Sequence, residues 1–596
     1  MEPQGKVLLV VGLLLLTPGW LAATARRGWS PDALAEGWTG GLAAGVVLAW
    51  LGAWSGDLSR AEYGLLPVMA LLVILAWYCR RMPEKVDAAR PGEWRWLALA
   101  LTVIAAAAAV PVFSSSWPPG WDPAFHSLLA KKIMMFRELS RDWLPFAAVP
   151  VNYPQGLHAF TAMLAEISGT APHEVLQTCH WLFQIPAALL VYSLARTACG
   201  AYPAALAAML SYGLLGCGGT FYRYYQWGGL PTEAGMLFFL LLIRLAWRER
   251  HCGWDWGLGI LLWGAILVTH HLLLAIAVTV VIGYSAARLA FRRRLDPVSR
   301  FFWGTGLAAL PIFSFYLLPY ARKALTLGQS GTIRFYDEKM LSPGALVDEL
   351  GWWLPLAGLA GLIGLAAVFR RRRRGNFTPS NAGEESRPKM VFTVVWLAVL
   401  IAVFATLDYG YRYLVAGWLY HDNFTAMVPS RWLSVTAYPL SILAGWAVAA
   451  GYRPWRRHTM SGGTAIIRRI TMGLAVALML GWGVERTVRL RTLSTDGPAQ
   501  LQPIAATIAR ATPPDALILL SREIPAQPWF AYLSWRSGLA DPIPASEDRG
   551  PLFQKLLLFH DLHANREAIV QWLRETGHPC YIAGIRDRQL LLHPFP

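Results

Sequence analysis

Asp122 stands in the run SSSWPPGWDPAFH, just after an apolar stretch that ends near residue 113. A carboxylate held where lipid gives way to water can take a proton from a hydroxyl, or it can hold a divalent cation such as Mg2+ or Mn2+. Asp followed by Pro is also an ordinary helix opening, in which the acid caps backbone amides and Pro123 supplies a preset φ. His126 follows four residues later and shares a helix face with Asp122. It can orient the carboxylate or a substrate, or it can be a polar ring at a headgroup boundary. Asp122 and His126 are the catalytic candidates.

A wider set of residues could bind substrate. The run VNYPQGLHAF puts Tyr153 and His158 where an external segment turns back toward the bilayer, either lining a wet cavity or anchoring at the headgroups. FYRYYQWGGLPTE places Arg223 among aromatic rings, a combination that suits a phosphate with a sugar stacked beside it. Glu233, at the start of the next apolar run, is a second acidic candidate, although an acid in a first turn also complements the helix dipole. His270 and His271 are adjacent between two apolar runs. Two polar rings at that depth are costly, so they should face a cavity. Arg412 and Arg431 can each fork two N–H groups onto a phosphate, and Arg322, Lys323 and Arg334 are weaker candidates for the same task.

These residues must be positioned by membrane helices. Of 596 residues, 55% are hydrophobic and only 15% charged, with a mean hydropathy of +0.39. A soluble enzyme of this length is not so apolar. The 29 Trp, 21 Tyr and 24 Phe fit helix ends seated at headgroup level. The net charge of +17 does not point to nucleic acid, because the basic residues sit in short loops between apolar runs, as Arg292 to Arg294 and Arg370 to Arg374 do. The six cysteines are scattered without CxxC spacing, so neither a zinc site nor a disulfide framework follows.

A span needs about 20 apolar residues, which yields about fourteen candidates. They lie near 6–23, 36–54, 63–79, 95–113, 179–197, 202–217, 232–248, 257–269, 272–290, 301–318, 352–369, 391–407, 434–451 and 469–485. Residues 257 to 290 read either as two helices or as one pair broken at His270-His271. With the N-terminus outside, every dense Lys/Arg cluster falls on the cytoplasmic side and serves to orient the helices. Cleavage of a leader at Ala25 would reverse that balance at Arg80, so the first apolar run is expected to stay as a span.

Three segments then lie outside: 114–178, 319–351 and 486–596. Within the first, residues 123–139 carry Phe125, Leu128, Leu129, Ile133 and Phe136 at helical spacing and should lie along the membrane surface. The last mixes helical patterns (501–511, 565–576) with strand-like runs (516–520, 580–584), the mark of a small α/β domain.

The order of these features resembles the GT-C superfamily of integral membrane glycosyltransferases. GWDPAFH carries the acid such enzymes bear early in their first external loop, and YPQGLHAF resembles the return of that loop into the next helix. PSRWLSVTAYPLSILAG is similar to the late Arg-bearing helix start of bacterial members, and PIAATIARATPPDALILL to the opening of their external domain. The resemblance covers residues 95–596. It implies a GT-C-like polytopic membrane fold: an added three-helix unit (1–94), a transmembrane catalytic core (95–485) and a soluble periplasmic α/β domain (486–596). It further implies an inverting transfer of a sugar from a polyprenyl-phosphate donor in the bacterial inner membrane to an envelope glycan, lipid or protein acceptor, with Asp122 as general base. Many relatives carry paired acids in the first loop, whereas Pro123 and Ala124 follow Asp122 here. That departure puts metal dependence in question. The alternatives are a transporter or flippase of lipid-linked substrates, for which no internal repeat is visible, and a non-catalytic envelope assembly protein in which Asp122 only caps its helix.

Overall fold

The structure is a computed structural model. It describes residues 2–78, 91–115, 117–119, 122–143, 147–151, 153–215, 229–326, 352–373, 382–409, 429–455, 481–485, 488, 496–520, 529–535, 537–538, 579–586 and 589–594.

The chain folds as a helical bundle. Helix α1 (Pro3–Val11) continues through a π-helical turn (Gly12–Leu16) into α2 (Thr17–Arg27), followed by α3 (Pro31–Trp54), α4 (Ser59–Tyr78) and α5 (Pro91–Phe113). Next come α6 (Asp122–Phe136), a ribbon of β1 (Asp142–Trp143) and β2 (Ala147–Pro150), α7 (Gly156–Ser168), α8 (Pro172–Cys199) and α9 (Tyr202–Leu210), which ends in a π-helical turn (Ser211–Leu215). Helices α10 (Leu230–Ala246), α11 (Gly253–Thr269), α12 (His271–Arg292), α13 (Pro297–Thr326), α14 (Trp353–Arg373), α15 (Ala382–Tyr409), α16 (Pro429–Ser434) and α17 (Ala437–Trp455) complete it. Each expected span from 6–23 to 434–451 overlaps a helix, whereas 469–485 lies largely outside the described residues. Among the described residues, seven helices are long and apolar enough to cross a membrane, and α11 is a shorter apolar one.

The central element is α8, 28 residues long and buried along most of its length. Pro172 supplies its first turn, the Glu174 side chain accepts the Ala171 N–H at 2.9 Å, and Gly200 closes it at φ 68°. Between helices in lipid the hydrophobic effect drives little, so close packing and polar pairs hold the bundle. Gly19 and Gly37 meet face to face where α2 crosses α3, and a methyl group on either would run into the other helix's backbone.

Polar pairs gather at one end of the bundle. Arg26 Nη1 lies 2.8 Å from Asp255 Oδ1, and Arg248 binds both Asp255 and Glu36. Arg244 pairs with Asp32 at 2.6 Å, Arg196 with Glu93 at 2.9 Å and Arg288 with Asp296 at 2.9 Å. Each group joins the end of one helix to the start of another. Arg26 and Arg248 are buried. Taking them out of water is tolerable because acids from distant helices neutralise them.

Helix α6 buries one face. Leu128, Leu129 and Ile133 are buried as their spacing suggests, but Lys132 is buried too and donates to the Asp142 carbonyl at 2.7 Å. The helix packs on α7 and α8, and the C-terminal unit covers another side of it.

That unit comprises α18 (Asp496–Ala511), β3 (Leu517–Leu520), α19 (Trp529–Ser534), β4 (Ser537–Gly538), β5 (Cys580–Arg586) and β6 (Gln589–Pro594). Its sheet runs β4-β3-β5-β6, with β3 parallel to β4 and β5, and with β5 and β6 forming an antiparallel hairpin. The expected helix at 565–576 lies outside the described residues. Cys179, Cys199, Cys252 and Cys580 are free thiols.

Candidate functional site

The connection from α5 to α6 is tied down from α8. Gln177 Nε2 donates to the carbonyls of Val112 at 2.7 Å and Ser115 at 2.8 Å, groups that the end of α5 would otherwise leave unsatisfied. Trp117 then stacks on the His173 ring, centroids 3.9 Å apart. Five residues later Asp122 opens α6, half-buried, with Pro123 beside it in the first turn.

His126, one turn along α6, places Nδ1 2.8 Å from Nε2 of His158, which is buried near the start of α7. Tyr153 sits among four imidazoles, its ring centre 5.7 Å from His126, 5.5 Å from His158, 5.6 Å from His270 and 5.7 Å from His271. Thus α6, α7 and the α11–α12 junction meet at one place. Gly156 makes the meeting possible, because a Cβ there would lie 2.7 Å from the Val268 carbonyl oxygen, two residues before His270.

The junction itself is a break of one residue. His270 is extended (φ −161°, ψ 124°), and its Nδ1 accepts the Leu272 N–H at 3.1 Å, capping α12. The His270 and His271 rings lie 4.9 Å apart at 23°. Adjacent helical residues would point to different faces. Because His270 stands outside the helices, both rings can face Tyr153.

Glu233 is buried in the first turn of α10, where His180 Nδ1 lies 3.0 Å from Oε2 and Gln184 binds Oε1. Tyr212 donates to Gln184 Oε1 at 3.1 Å. The carboxylate therefore makes specific side-chain bonds in addition to its favourable position at the helix dipole. His126 is within electrostatic reach of both His158 and His180, so the two groups of residues form one neighbourhood.

The candidates Asp122, His126, Tyr153, His158, Glu233, His270 and His271 thus come from four helices and two of the connections between helices. Arg223 and Arg412 lie outside the described residues, as does Arg334. Arg431 falls in α16, and Arg322 and Lys323 fall in α13, but their side chains are not among those described. The sequence reading missed His180 and Gln184. Their signal was a polar stripe of Gln177, His180 and Gln184 on one face of an apolar helix, and polar groups at that depth mark function or its support.

A Mg2+ or Mn2+ ion prefers oxygen ligands. Four of the described candidates, His126, His158, His270 and His271, offer imidazole nitrogens, and Glu233 is already engaged by His180 and Gln184. Among the described residues no group of three His, Cys, Asp or Glu side chains is arranged to hold a metal.

No family model matches the chain, and no curated protein does. Among solved structures it is similar to ArnT from Cupriavidus metallidurans bound to undecaprenyl phosphate, with a TM-score of 0.50 and 15% identity over 84% of this chain and 94% of that one. At that identity the likeness is one of fold. The chain therefore shares the polytopic fold of ArnT, in keeping with the resemblance drawn from GWDPAFH and YPQGLHAF.

Proposed function

We propose that this protein transfers a sugar, with inversion, from a polyprenyl-phosphate carrier to an acceptor hydroxyl at the outer face of the bacterial inner membrane, where its C-terminal unit also lies. The observation that carries this reading is Asp122 at the start of α6, one turn before a His126 ring that meets His158 and Tyr153, on a fold shared with a protein solved with undecaprenyl phosphate bound.

In the mechanism we assign, the Asp122 carboxylate takes the proton of the acceptor hydroxyl as that oxygen bonds to the anomeric carbon. The bond from the anomeric carbon to the phosphate oxygen breaks, and the polyprenyl phosphate leaves with the electron pair. A phosphate of low basicity needs no proton to depart. His126, held by His158, positions Asp122. Tyr153, His270, His271 and Glu233 are the groups assigned to the sugar, and Arg223, Arg412 and Arg431 those assigned to the phosphate. No step passes through a divalent cation, so activity should survive a chelator.

The test is Asp122→Asn, which keeps the shape of the helix opening and removes the base. With a panel of polyprenyl-phosphate sugars, transfer should fall by about a hundredfold or more in properly inserted protein. Full transfer by the variant would sink the mechanism. The break at His270 favours a second reading, a flippase of the same lipids. Such a protein would relocate the lipid and form no new glycosidic bond, which mass spectrometry of the product decides.

A further inference from the structure

A separate cavity of about 400 Å3 lies where the C-terminal unit meets the core. The core contributes Trp117, Lys131, His173 and Glu174 to its wall, and the C-terminal unit contributes Gln502 and Tyr532. The two parts are bonded across it. Lys131 Nζ donates to the Tyr532 carbonyl at 2.6 Å and sits 5.0 Å from the centre of that ring, and Tyr532 Oη lies 2.9 Å from His173 Nδ1. These bonds leave hydrogen-bonding capacity in the wall. An ammonium has three donors, and the only hydrogen bond of Lys131 among the described residues uses one of them. Glu174 accepts the Ala171 N–H through Oε2, leaving Oε1. The Gln502 amide stands on an exposed lip.

The cavity wall therefore presents the donors Lys131 and Gln502 and the acid Glu174 among aromatic rings. A phosphate or a carboxylate ligand would meet that opposing acid. A neutral polyol satisfies both signs at once, giving hydroxyl hydrogens to Glu174 and lone pairs to Lys131 and Gln502. Two helices connect the cavity to the Asp122 cluster. His173 stands two turns before His180 on the same face of α8, roughly 10 Å along the axis. That separation suits a few linked sugar units.

We propose that this cavity is an outer subsite for a neutral sugar unit of a glycan acceptor, whose other end presents its hydroxyl to Asp122. The inference rests on the transferase reading above. Its test is direct binding to the full-length protein in lipid nanodiscs, measured by saturation-transfer NMR. The probes are the methyl α-glycosides of glucose, galactose and mannose, with methyl glucuronide and inorganic phosphate as charged comparators. At least one neutral glycoside should bind wild type and Asp122→Asn alike. Gln502→Ala, on the exposed lip, and Lys131→Met should each weaken that binding by about tenfold. The proposal is overturned if no neutral glycoside binds, if a charged comparator binds better, or if binding is lost in Asp122→Asn and intact in Gln502→Ala. Because binding needs no turnover, failure of the transferase reading registers separately, as full transfer by Asp122→Asn.

Discussion

His126 Nδ1 and His158 Nε2 lie 2.8 Å apart, joining the first loop helix to the helix that follows it. At that distance one facing nitrogen carries a hydrogen and the other does not, so the two imidazoles act as a donor–acceptor unit. Removing either ring takes this bond from the other. His126→Ala and His158→Ala should each lower the rate of sugar transfer by up to about a hundredfold, and the double variant should be little worse than the worse single one. The check is kcat for all three variants. Effects that multiply in the double variant would mean that the rings act separately.

Gly156 should tolerate no side chain. A Cβ there would meet the Val268 carbonyl oxygen at 2.7 Å and the Val268 side chain at 2.6 Å, and backbone cannot step aside cheaply. Gly156→Ala is expected to lose about 1–3 kcal/mol of stability, read as a lower melting temperature in detergent. It should also lose activity beyond that of an equally destabilised variant elsewhere, because the displaced helix carries His158 away from His126.

Much of this architecture is legible in the chain. Apolar runs of membrane-spanning length mark the helices, and the polar exceptions Asp122, His126, Tyr153, His158, Glu233, His270 and His271 mark the place where they converge. What could not be read is what depends on pairing across hundreds of residues. Arg26 and Arg248 look like loop charges until Glu36 and Asp255 arrive from other helices. The α6 pattern gives one apolar face but does not disclose the short aromatic helix α19 that covers its Lys131 side. His180 was hidden because an apolar average over a span absorbs one polar ring.

The buried ion pairs should be unequal in energy to the exposed ones. Arg248→Met would leave Glu36 and Asp255 sharing Arg26 in a buried site, a loss of roughly 3–5 kcal/mol. Arg137→Met breaks a pair with Glu166 in which the guanidinium is 44% exposed. Solvent screens that pair, so its loss should cost under about 1 kcal/mol. Thermal unfolding of the two variants in the same detergent makes the comparison, and equal losses would contradict it.

Lys131 gives the contact between core and C-terminal unit a dependence on pH. Burial pushes its ammonium down to about 8 from an ordinary 10.5. Below about pH 8 the side chain is charged whether or not the contact forms, and the contact carries the whole desolvation penalty. Between about 8 and 10.5 the exposed form of the side chain holds more protons than the buried one, so raising the pH strengthens the contact across that window. The amine that remains can still donate to the Tyr532 carbonyl. The melting temperature of wild type should therefore rise from pH 7.5 to pH 10 relative to Lys131→Met, which keeps the apolar stem and has nothing to titrate. A difference between the two proteins that stays flat with pH would show that the ammonium is solvated and that the contact does not desolvate it.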